Sequence, residues 1–182
     1  MYELNYEIYN ISNPISMSHF ENVYSLLSSS LPQNEMRNKS GQKNLLSDRR
    51  YNLLVVSAGV KIIGFIAVWD LEKYSYVEHF AIDTQFRGNG IGGKLLDKCK
   101  AYFKSPVILE VEPPESTENA TRRIEFYRRH GFNLNDFPYC QPPLQNGFDP
   151  LPLKIMSYPK SLDFETFNDI KNNLYTNIYG VF

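Results

Sequence analysis

Between Arg87 and Lys94 the chain places four glycines, Gly88, Gly90, Gly92 and Gly93, just ahead of an apolar helical pattern. Glycine at that density lets a backbone approach a ligand closely and take φ values that a Cβ forbids. The amides left unpaired at the start of the helix suit a phosphate. Two further groups could move protons: the carboxylates Glu78, Glu110 and Glu112, and the phenol of Tyr127. Strand alternation puts Glu110 and Glu112 on one face. A carboxylate can take a proton from a nucleophile, and a phenol with a pKa of about 10 can return one to a leaving group of similar basicity.

Several folds use a glycine turn of this kind, and the flanking residues separate them. A P-loop needs Ser or Thr after Gly-x-x-x-x-Gly-Lys; Gly88 to Lys94 fits until Leu95, which has no hydroxyl to hold magnesium. The dinucleotide fingerprint Gly-x-Gly-x-x-Gly is met literally by Gly88, Gly90 and Gly93, and Glu110 falls roughly 20 residues on, where a ribose-binding acid would stand. That reading needs a buried strand running straight into the first glycine, whereas Asp83-Thr84-Gln85-Phe86-Arg87 intervenes. It stands as the rival, a nucleotide-linked oxidoreductase.

Arg87-x-x-Gly90-x-Gly92 resembles the pyrophosphate-binding Arg/Gln-x-x-Gly-x-Gly/Ala motif of the GNAT family, the Gcn5-related N-acetyltransferases. Downstream, Tyr127-Arg128-Arg129-His130-Gly131-Phe132 resembles the same family's Tyr-x-x-x-Gly-Phe signature, in the expected order and after a strand-like 106–111. The resemblance covers residues 53–132. It implies an α/β fold in three layers, with a mixed, mostly antiparallel sheet flanked by helices. It also implies acetyl transfer from acetyl-CoA to a primary amine of a small molecule or peptide, without an acyl-enzyme. On that reading the backbone of Phe80, Ala81 and Ile82 pairs with the pantetheine arm, and Arg87, Gly88, Asn89, Gly90, Ile91, Gly92 and Gly93 cradle the pyrophosphate. The family's asparagine seven places before the tyrosine falls here as Ala120, so Asn119, one place earlier, is the candidate for that cofactor contact. Glu110 and Glu78 are the candidate bases and Tyr127 the candidate acid. A non-catalytic domain of this fold that binds acyl-CoA and senses it is the alternative.

These residues need elements to hold them. Residues 4–11 read as a first strand ended by Asn13-Pro14. A helix then opens on Ser18 and Glu21, at capping-box spacing, with Phe20, Val23, Tyr24, Leu27 and Leu31 as its apolar stripe. Residues 33–50 read as a short helix and loop, the region that shapes the acceptor site in the family. Residues 52–57, 61–71 and 74–83 make an antiparallel meander turning at Ala58-Gly59 and feeding the glycine turn. The next helix buries Ile91, Leu95, Cys99 and Tyr102, while Lys94, Lys98, Lys100 and Lys104 form a solvated face from which one lysine could meet the 3′-phosphate of CoA. A strand over 106–111 and a helix through Ala120, Ile124 and Tyr127 follow, closed by Gly131; His130 compensates the helix dipole. Two strands, 132–141 and 151–158, precede a C-terminal helix starting near Ser161 or Asp163 and buried through Phe167, Ile170, Leu174 and Ile178.

A chain of 182 residues, 42% hydrophobic and 14% aromatic, can bury one full core, and it reads as a single domain over 1–182. A formal net charge of -1 with interspersed signs argues against a nucleic-acid or membrane partner. No apolar run approaches the roughly 18 residues of a span, and the start does not read as a leader, so a cytoplasmic protein is expected. Cys99 and Cys140 have no metal-ligand spacing. The aromatic tail, Tyr175, Tyr179 and Phe182, is a candidate homodimer surface. Residues 33–50 and 137–148 carry no acidic run that would announce a polyamine, so the acceptor is unspecified.

Overall fold

The computed structural model describes residues 6–11 and 16–181. Its internal contacts cluster into two compact units, Met1–Ser105 and Pro106–Phe182. Among the described residues there are seven strands and five α-helices, and the strand pairings given below are all antiparallel. The mixed, mostly antiparallel class expected from the sequence is the class observed.

In the first unit β1 (Glu7–Asn10), β2 (Tyr51–Ala58), β3 (Lys61–Asp70) and β4 (Ser75–Ile82) pair in chain order. Leu4 and the turn at Asn13-Pro14 lie outside the described residues. Val55, Val56, Ile63, Ile66 and Val68 are fully buried, as strands covered on both faces require. On one face α1 (Met17–Ser30) sets Phe20, Val23 and Leu27 against Tyr51, Leu53 and Phe65. Helix α3 (Ile91–Phe103) packs against β2, β3 and β4, and alternation turns Leu54, Val56, Ile66 and Val68 away from α1. Helix α1 begins two residues earlier than the spacing of Ser18 and Glu21 predicts: Ser16 is the cap, its hydroxyl accepting from the His19 amide at 3.2 Å. Glu21 pairs instead with Lys39, at 2.6 Å, on the short α2 (Lys39–Asn44).

The buried face of α3 is Ile91, Leu95, Leu96 and Cys99, and Tyr102 is 52% exposed rather than buried. Tyr102 sits in the last turn; periodicity gives the angle of a side chain around a helix but not where the helix loses its cover.

The second unit holds β5 (Val107–Val111), α4 (Glu118–Arg129), β6 (Asn133–Gln141), β7 (Leu151–Tyr158) and α5 (Phe164–Leu174), with strand order β5-β7-β6. Thr117 caps α4 through the Ala120 amide, and Asp163 caps α5 through the Thr166 amide. In β6 the register breaks between Asn135 and Tyr139, where three residues face one on β7. Pro138, which has no N–H for a ladder, sits in that break. A π-helical turn, Tyr175–Tyr179, extends α5 and ends at Gly180 with φ 67°.

Candidate functional site

The chain leaves β4 through a short 3-10 turn, Thr84–Phe86, whose cap Asp83 is held well below the ordinary carboxylate range, first by its bond from Lys61. Arg87 through Gly90 are exposed. Arg87 folds back so that Nε donates to the Ile82 carbonyl at 2.9 Å, which fixes the guanidinium beside the turn. Asn89 braces the loop by donating to the Phe86 carbonyl at 3.2 Å. Gly88 and Gly90 have φ of 83° and 72°, and a Cβ at either would meet nothing within 4 Å. The left-handed backbone therefore demands glycine at both, and the space beside them is open. Gly90 is the N-cap of α3 and offers no side-chain acceptor, so the amides of Ile91, Gly92 and Gly93 have no cap from it. Backbone donors arranged in this way can receive an anion. Phe80, Ala81 and Ile82, which lead into it, pair with Ile66, Phe65 and Gly64 on β3.

Glu78 occupies a position no alternation pattern predicts. Ala67 pairs with His79 and Val68 with Val77, so Glu78 is the extra residue of a β-bulge. A bulge turns two consecutive side chains toward one face. Glu78 and His79 accordingly share a buried cluster with Trp69, Tyr51 and Arg37. The Glu78 side chain is 0% exposed, and Arg37 Nη1 lies 2.5 Å from Oε1. Burial pushes this carboxyl up, yet Arg37, with help from His79 and the nearby Trp69 indole, holds it below its ordinary value. His79 Nε2 is 3.0 Å from the Glu35 carbonyl, and burial lowers the imidazole's proton affinity. Glu78 is a held anion.

Glu110, on β5, is half-buried and receives three side chains. The hydroxyl of Tyr139 donates to Oε1, that of Tyr179 reaches both oxygens at 2.9 Å, and Gln141 Nε2 donates to Oε2 at 3.0 Å. Tyr139 and Gln141 share a face of β6 beyond its register break, and the π turn delivers Tyr179. Burial first and Glu110 second keep the Tyr139 phenol protonated far beyond its usual range. Tyr175 turns its hydroxyl to the Cys140 carbonyl. Glu112 pairs with Arg123 at 3.3 Å. Tyr127 is 6% exposed on the inner face of α4, against Phe126 and Phe132, and burial pushes its phenol up to about 12. Asn119 is exposed in the first turn of α4, while Ala120 is fully buried.

A family model described as an acetyltransferase (GNAT) domain matches residues 49–134, a span that includes the cradle, Glu78, Glu110 and Tyr127. A solved GNAT-family protein from Bacteroides thetaiotaomicron is 35% identical, with a TM-score of 0.85 over 97% of this chain and 99% of that one. The chain belongs to the GNAT family. A curated relative, YjbC of Bacillus subtilis (strain 168), provisionally named an acetyltransferase, is 34% identical over 112 residues. The match covers 61% of this chain and 56% of YjbC, so little more than half of that relative's length is spanned. The GNAT fold is shared with Arabidopsis thaliana NAA60 in complex with acetyl-CoA, at 14% identity, a TM-score of 0.64, and coverage of 85% and 98% of the two chains.

The sequence singles out the glycine turn, Glu78, Glu110, Glu112 and Tyr127 but gives no sign of Arg37, His79 and Trp69 around Glu78, or of Tyr139, Gln141 and Tyr179 around Glu110. The bulge and the break in β6 bring them together. Pro138 was the one visible signal of either.

Proposed function

We propose that this GNAT protein transfers the acetyl group of acetyl-CoA to a primary amine of a small molecule or peptide, as one domain over 1–182. The observation that carries the reading is the cradle: two positive-φ glycines in open space and a helix start with no side-chain cap. Acetyl-CoA in the NAA60 structure supports the choice of cofactor, and the single-domain reading is supported by a family match that runs across Ser105 and Pro106. Arg87, Gly88, Asn89, Gly90, Ile91, Gly92 and Gly93 hold the pyrophosphate, Asn119 is a further contact, and the backbone of Phe80, Ala81 and Ile82 pairs with the pantetheine.

The amine nitrogen attacks the thioester carbonyl, the C–S bond breaks, and CoA leaves as a thiolate that takes up a proton. An alkylamine carries a lone pair in roughly one molecule per thousand at neutral pH, so a proton acceptor is worth having. Glu110 fits that role better than Glu78, whose side chain is sealed and ion-paired. Tyr127 is the candidate acid. With its phenol at about 12 it stays protonated throughout any assay range and gives a proton up reluctantly.

A second reading, an acyl-CoA-binding sensor without turnover, is favoured by the engagement of both carboxylates by protein donors. Titration calorimetry with acetyl-CoA, followed by thiol release across an amine panel, separates the two. Tight binding with no release in any amine supports the sensor, and no acetyl-CoA binding at all sinks both.

A further inference from the structure

Beneath residues 33–37, three buried polar atoms converge without a hydrogen-bond partner: Glu78 Oε2, His79 Nδ1 and Trp69 Nε1. Their chemistry is complementary. The Glu35 carbonyl can only accept, so the neutral imidazole carries its proton on Nε2 and presents a bare lone pair at Nδ1. That lone pair lies 3.6 Å from Glu78 Oε2, a second acceptor. Two acceptors at that distance repel and cannot satisfy each other. The Trp69 indole N–H can only donate; it is directed at the Glu78 carboxylate and helps hold it ionised, but their contact falls outside good hydrogen-bond geometry, which leaves room in its coordination for a better acceptor. Register places the three together, because the bulge turns Glu78 to the side of His79, and Trp69 lies two residues from Ala67, the partner of His79, on the same face.

We propose that Glu78, His79 and Trp69 form a built site for one buried water molecule. The water donates one hydrogen to Glu78 Oε2 and the other to His79 Nδ1, and accepts from Trp69 Nε1. Two acceptors and one donor are the complement of a single water, and about three hydrogen bonds is the usual complement of an internal water. No bare cation fits as well, because the indole N–H would face it. The site also explains how residues 33–37 are seated. Arg37 and the Glu35 carbonyl bind the outer atoms of Glu78 and His79, and Met36 between them is buried. The water locks the inner atoms of the same two side chains, so it fixes the anchor from behind.

Trp69 is the only tryptophan of the chain, so its indole proton gives one unambiguous resonance. In the full-length protein, water-selective cross-relaxation should show contact between that proton and a long-lived water. The contact should persist in Tyr51→Phe, which removes the neighbouring hydroxyl that could imitate it. Nitrogen-15 shifts of His79 should report a neutral ring protonated at Nε2 and hydrogen-bonded at Nδ1. In Glu78→Gln the new amide can donate directly to Nδ1, and the water contact should be lost. Absence of the contact in the wild type, a proton on Nδ1, or a contact undiminished in Glu78→Gln would each overturn the proposal.

Discussion

Around Glu110 the protein spends three side-chain donors on one carboxylate, and donors to the ionised form weaken its pull on a proton. If this residue accepts the amine proton, its basicity is set by those neighbours. Tyr179→Phe removes one donor and keeps the ring, so the acidic limb of kcat/KM should move to higher pH. Glu110→Gln should lower kcat/KM most near neutrality and less as rising pH supplies free amine. A pH profile that neither variant alters would leave proton loss to solvent. Tyr127 is tested separately: Tyr127→Phe preserves the contacts with Phe126 and Phe132 and removes only the hydroxyl. A general acid predicts a kcat loss of about 10² to 10⁴-fold with KM for acetyl-CoA almost unmoved. Wild-type kcat would make Tyr127 a core aromatic. Because its phenol lies near 12, no alkaline limb below about pH 11 should arise from it.

At the scale of the element, the turn between β4 and α3 imposes two demands on Gly90, positive φ and open space, and a matched control separates them. Gly59, in the β2–β3 hairpin, has φ 60° and nothing within 4 Å of a Cβ, much like Gly90 at 72°. Gly59→Ala and Gly90→Ala should each cost about 1–2 kcal/mol in urea unfolding through the same backbone strain. Only Gly90→Ala should lose acetyl-CoA affinity by calorimetry; equal affinity in both would remove the cradle from the binding site. The same scale shows why some features were legible in sequence and others were not. Helices α4 and α5 were legible because amphipathic spacing is local: Ala120, Ile124, Tyr127, Phe167, Ile170 and Leu174 are all buried as their periods require. The glycine turn was legible because it depends on backbone conformations that few residues supply. The bulge at Glu78 was not, since an extra residue in one strand is defined only by its partner, and nothing in Tyr76-Val77-Glu78-His79 announces Ala67 across the ladder. Arg37 and Tyr179 come from 41 and 69 residues away from the glutamates they hold, a separation no local pattern reaches.

Over the whole molecule, buried ionisable groups set a pH window for stability. On the alkaline side, burial raises Cys99 from an ordinary 9.0 to about 12 and Tyr127 from 10.0 to about 12, and pushes Tyr51, Tyr74 and Tyr139 the same way. A group with a raised folded pKa binds its proton more tightly in the fold, so its contribution is complete below the unfolded value and is lost as pH climbs toward the folded one. Stability should therefore begin to fall above about pH 9 and keep falling toward 12, each tenfold difference in proton affinity being worth about 1.4 kcal/mol. On the acid side, His79 is lowered from 6.5 by burial, and Glu78, despite its burial, is lowered from 4.5 by Arg37. Their contributions are present above the unfolded values and lost as pH drops, beginning with His79 below about 6.5 and then Glu78. The expected curve is a plateau between about pH 7 and 9 with losses on both flanks, read as urea midpoints from about pH 4 to 11. Cys99→Ala should flatten the alkaline flank, since it removes the group that titrates first there. A midpoint unchanged from pH 7 to 11 in the wild type would show that these thiol and phenol groups ionise in the folded chain as readily as in the unfolded one, and that the buried environments described for them do not hold in solution.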